Sequence, residues 1–238
     1  SAERDVKLVS TQAASVAGAE VLVDGATVYA KRDATLSGGD VVLTGGRLGS
    51  GAALSLSGAT LTDSGGLRDA GSTLTVAMTG AMSLTNTALR STGNAAITAG
   101  SLSVDAASND GGAKGLRSGG TLTVNVSGTV DNAGLIAGDD GLTLTAAQLD
   151  NASTGLIRAG DTAPADATMT VTGNISQSGK LSSLGGLNIS AATLSNLAGS
   201  TVEATNLTVN ATGATVNAGA VHGAQSLAWT AASLANNA

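Results

Sequence analysis

A unit of about twenty residues recurs along this chain, and no other feature narrows its possible folds as much. Its clearest copy is GLTLTAAQLDNASTGLIRAG, residues 141–160. Leu142 and Leu144 alternate with Thr143 and Thr145, the period of two that gives a strand one buried and one wet face. Leu149 offers a second inward position, followed by Asp150 and Asn151, whose short side chain suits a tight corner. Leu156-Ile157-Arg158 makes a third piece, closed by Ala159-Gly160. Such short strands bury too little apolar surface to offset their ordering entropy, so each unit must stack on copies of itself.

Anchoring on the first inward residue of each unit gives Val16, Leu36, Leu54, Leu74, Ala96, Leu122, Leu142, Met169, Leu187, Leu207 and Leu227. The second strand supplies Leu22, Val42, Leu61, Leu84, Leu102, Val130, Leu149, Ile175, Leu194, Val216 and Leu234, and the third runs from Val28, Leu48, Leu67 and Leu89 to Val221. Two long intervals are explained by insertions at corners, near 105–115 and 161–167, which are expected to protrude as loops. A corner ladder of Asp24, Asp63, Asn86, Asn132, Asn151, Asn196 and Asn236 follows the second strand and would pin the register by side-chain bonding along the axis.

These observations predict an all-β fold: a right-handed parallel β-helix of about eleven coils, three short strands each, forming one shaft over residues 1–238. At a strand spacing of ~4.8 Å the rod would be roughly 50 to 55 Å long. A left-handed hexapeptide helix is the rival, since Val16, Leu22 and Val28 are six apart, but Leu142, Leu149 and Ile157 abandon that step.

Composition agrees and removes several function classes. The 42% hydrophobic content includes no Phe, one Trp (Trp229) and one Tyr (Tyr29), so the core must be aliphatic, as thin stacked layers require. A net charge of −6 argues against nucleic acid. No apolar run is long enough for a membrane-spanning helix. The absence of cysteine removes disulfides and thiolate metal sites and suits export as an unfolded chain. The opening SAERDVKLVS has no signal-peptide hydrophobic stretch, so an exported protein would carry this chain as an internal segment.

The units GLTLTAAQLDNASTGLIRAG, GTLTVNVSGTVDNAGLIAGDD and GGLNISAATLSNLAGSTVEA resemble the repeats of filamentous haemagglutinin and related two-partner-secreted exoproteins of Gram-negative bacteria, including contact-dependent growth inhibition toxin carriers. The resemblance covers the chain from about residue 10 to its end. It implies a structural and adhesive shaft at the bacterial surface, passage through an outer-membrane transporter, and host glycans or receptors as partners. A monomeric rod without cofactor is expected.

Four arginines, Arg68, Arg90, Arg117 and Arg158, fall just after the third-strand inward position and would form one basic face able to grip glycan sulfates or carboxylates. The plainer alternative is an outward slot that tolerates arginine, balanced by Asp69 and Asp161. His222 has no second metal ligand, the glycine and aspartate corners lack a calcium-binding nine-residue repeat, and the outward threonines are ordinary strand residues. A polysaccharide-acting enzyme remains the alternative class. It would need clustered acid/base groups and aromatic platforms, for which this chain has little material, so no catalytic or metal site is assigned.

Overall fold

The computed structural model describes residues 7–237 and shows a β-solenoid of about 11 turns, in which parallel strands stack coil on coil. The twenty-residue unit resolves into strands Gly141–Ala146, Gln148–Asn151 and Leu156–Ala159. Each pairs in parallel with its counterpart in the coils on either side, Leu142 with Leu122 and Ala167, for example. The N-terminal coils merge the first two strands into continuous runs, Ala14–Asp24, Ala34–Thr44 and Leu54–Ser64, with four-residue third strands Thr27–Ala30, Arg47–Ser50 and Leu67–Ala70. Such unequal sides are not those of a hexapeptide helix. Where Gly58 stacks on Gly38, a Cβ at Gly58 would lie 2.3 Å from the Gly38 carbonyl oxygen, so only glycine fits. Gly45 and Gly46, at φ +57 and +58, turn the corner into the third strand.

One aliphatic core runs through the coils. Several inward assignments are corrected by the pairing. Leu36 faces Leu56, leaving Leu54 opposite Ala34, and Met169 faces Leu144, leaving Ala167 opposite Leu142. These shifts of two residues keep the side chains buried. Shifts of one do not: Ala96 is exposed and Ala95 takes its place between Leu74 and Leu122. Leu22 points outward at 62% exposure, with Val21 inward, and outward Val216 yields to Thr215. Each strand presents two inward positions two residues apart, and in apolar runs such as VLV or AA the side chains do not reveal which set is buried.

The corner ladder is present in the C-terminal half. Asn132, Asn151, Gln177, Asn196, Asn217 and Asn236 are register partners in succession. Asn132 Nδ2 donates to Asn151 Oδ1 at 2.8 Å, Asn151 Nδ2 to Gln177 Oε1 at 2.8 Å, Asn196 Nδ2 to Asn217 Oδ1 at 2.7 Å and Asn217 Nδ2 to Asn236 Oδ1 at 2.8 Å. Gln177 and Asn217 were not anticipated, since one is not Asn or Asp and the other follows the outward Val216. Two expected members are absent. Asp24 is exposed opposite Thr44, and Asn86 turns a corner in the left-handed region at φ 51. Asp63 belongs to the same column but serves a different partner.

The two insertions are tied to the shaft. Asp105 caps a single turn of 3-10 helix, Ala106–Ser108, and Ser108 is fully buried, accepting from the Thr87 backbone N–H. Residues 109–114 cross the corner outside it, held by Asn109 Nδ2 donating to the Thr154 carbonyl. In the second insertion Asp161–Pro164 are exposed, whereas Ala165 is buried and the Asp166 carboxylate accepts from Gly186.

Candidate functional site

The outward slot of the third strands carries, from coil to coil, Tyr29, Gly49, Asp69, Arg90, Arg117, Ala137, Arg158, Ser182, Glu203 and His222. Three of the four expected arginines are here, and Arg68 is not. Its strand is placed one residue differently, so that Leu67 lies half-buried and Arg68 occupies the inward column between Leu48 and Leu89, with no exposed side-chain surface.

Arg68 is tolerated inside because the corner supplies it with partners. Asp63, also fully buried, accepts from Arg68 Nε at 3.0 Å and lies 2.9 Å from Nη2. Arg68 Nη1 donates to the carbonyl of Gly45 at 2.9 Å. Burial raises the Asp63 pKa above its ordinary 3.8, with the charge and hydrogen bond of Arg68 pulling the other way. The pair does at this corner what the carboxamides do further along, satisfying corner carbonyls that no strand reaches. It has no place on the ligand-accessible face.

What remains outside is a ladder of ion pairs, in which Arg90 and Arg117 are register partners and each turns to a different carboxylate. Asp69 bridges Arg47 Nη2 at 3.0 Å and Arg90 Nε at 3.2 Å. Arg117 Nη2 reaches Asp139 at 2.9 Å and Asp161 at 3.1 Å, while Arg158 Nη1 reaches Asp161 at 2.7 Å. Hydrogen bonding to Asp139 is the largest influence on Arg117 and raises its pKa. The insertions flank this face, since one enters the strand Gly115–Ser118 and the other leaves Leu156–Ala159. Arg117 Nη1 donates to Gly112 of the first insertion, and Asp161 begins the second. Beside the first insertion lies an open depression of about 350 Å³, lined by Asp69, Arg90, Ser91, Thr92, Gly112, Arg117, Gly119 and Asp139. At the N-terminal end of the face Tyr29 lies over Gly49, with Arg47 6.0 Å from its ring centre.

A haemagglutinin repeat pattern matches residues 3–100, 97–163 and 162–238, which together cover almost the entire chain. The chain belongs to the haemagglutinin repeat family. No curated protein and no solved structure matches it. In these haemagglutinin repeats the strands and corners are scaffold, and the insertions with the arginine face are the departures from it. Arg90, Arg117 and Arg158 stand on the face where the strand pattern puts them, and Arg47 and Asp139, which that pattern does not single out, join them there. Arg47 opens its strand one residue before the inward Leu48, and Asp139 follows the strand Leu135–Gly138 as a corner residue. His222 is exposed opposite Glu203, which pairs with Lys180 at 2.7 Å, and no group of three metal-ligating side chains occurs among the described residues.

Proposed function

We propose that this chain is a length of adhesive shaft in a secreted bacterial surface exoprotein, with Arg90, Arg117 and Arg158 on the face that meets host glycans. The observation that carries the reading is the combination of a stiff stack of about 11 coils with a single face built up by insertions. Haemagglutinin repeats are typical of secreted surface exoproteins, which supports the location. A cysteine-free chain is also suited to crossing an outer-membrane transporter unfolded. A binding role rather than a catalytic one is supported by the ion pairs of Asp69, Asp139 and Asp161 with arginines, which engage these carboxylates of the face.

Beads coated with the purified chain test the adhesive role. Attachment to epithelial cells well above that of uncoated beads, and lost on enzymatic removal of cell-surface glycans, is the expected result. Attachment no better than that of uncoated beads would leave the chain as a passive stalk for a distal module, as in a toxin carrier.

A further inference from the structure

The ion ladder is not evenly balanced. Asp139 and Asp161 serve Arg117 and Arg158, two carboxylates for two guanidiniums. At the other end Asp69 alone serves Arg47 and Arg90, giving each one oxygen. Arg90 uses only Nε, and its two terminal nitrogens have no hydrogen-bond partner among the described residues, although 42% of the side chain is exposed beside the depression. The next arginine, Arg117, is held by the Gly112 carbonyl and by the carboxylates of Asp139 and Asp161. Asp69 therefore leaves one positive charge unbalanced between Arg47 and Arg90, and of these two Arg90 is the one that lines the depression.

Resting on the glycan reading above, we infer that Arg90 forms a site for a single carboxylate on an otherwise neutral saccharide, and that the face discriminates against densely sulfated polymers. A free guanidinium edge suits a planar carboxylate through two parallel hydrogen bonds. A polyanion extended along the ladder would find Arg117 and Arg158 already paired with Asp139 and Asp161, so its further charges would gain no free cation in return for their desolvation. The lining of serine, threonine and glycine suits sugar hydroxyls better than peptide side chains, for which there is no apolar pocket. The strands below are already paired on both sides, leaving no sheet edge for an added peptide strand.

The test is calorimetric titration of the full chain at physiological salt with three probes: sialyllactose carrying one carboxylate, lactose carrying none, and a heparin-derived octasaccharide. Sialyllactose should bind most tightly, and Arg90→Ala should weaken it by about tenfold. Arg90→Lys, which keeps the charge without the fork, should recover only part of that loss. Asp69→Asn, which removes the shared carboxylate, should strengthen heparin binding severalfold. Heparin binding that is tighter than sialyllactose binding and unchanged in Arg90→Ala would overturn the single-carboxylate site while leaving the glycan reading intact. No heat with any probe would overturn both. A carboxylated peptide of equal charge is titrated as a fourth probe, and binding as tight as that of sialyllactose would overturn the saccharide assignment alone.

Discussion

Arg68 is the residue at which local pattern and tertiary structure part. In GGLRDA the leucine is the natural core residue, yet the chain buries the arginine beside it because Asp63, across a Gly-Gly corner, has already been placed in the inward column. The Arg68→Ala substitution leaves the Asp63 carboxyl buried without its partner and should cost about 3–5 kcal/mol. Replacing both, as Asp63→Leu with Arg68→Met, should leave stability unchanged or raise it by about 1–4 kcal/mol. Urea denaturation of the three proteins measures the difference. A small loss in Arg68→Ala would mean that the guanidinium reaches water. The same residue shows the limit of sequence reading, since nothing within its own strand announces the partner five positions earlier.

At the level of the element, the strands were legible and their corners less so. Alternation in GLTLTA gives Leu142 and Leu144 inward without ambiguity, because the intervening threonines are polar. Where both neighbours are apolar or small, as at Val21-Leu22 and Ala95-Ala96, the choice comes from the coils above and below. The first insertion was legible as an interruption, but its anchoring by Ser108 and Asp105 was not, since those contacts reach across to the previous coil. Burial works against ionisation of Asp105, but hydrogen bonds from Asn86 and Ser108 outweigh it and lower the pKa below the ordinary 3.8. A lowered carboxyl pKa contributes stability that is present above about pH 3.8 and is lost as pH falls through the folded-state value. The protection factors of the Asn86 and Ser108 amides, corrected for the intrinsic pH dependence of exchange, should therefore hold steady down to mildly acid pH and fall in that acid range before the flanking strands open. The same pH-dependent loss of protection in Asp105→Asn would show that the carboxylate is not the cause.

For the whole molecule, stability is a sum over coils and their interfaces, so opening is expected to spread from the terminal coils rather than to be all-or-none. Trp229, the chain's one tryptophan, reports on the last coil, where it is half-buried against the core and its indole N–H donates to the buried Thr215 hydroxyl at 3.2 Å. In a urea titration its emission should redden at lower denaturant than the loss of strand signal in circular dichroism. Coincident transitions would indicate a shaft that melts as one unit.

The register of the third face underlies both the buried pair and the ion ladder, placing Asp69 and Arg90 outside and Arg68, Ala70 and Leu89 inside. Because the chain has no cysteine, single-cysteine variants read that register without interference. Maleimide labelling of native Asp69→Cys and Arg90→Cys should be fast, with Ala70→Cys and Leu89→Cys protected until denaturant is added. Fast labelling at Ala70→Cys with protection at Asp69→Cys would place Leu67 in the core and Arg68 in solvent, and would contradict the account.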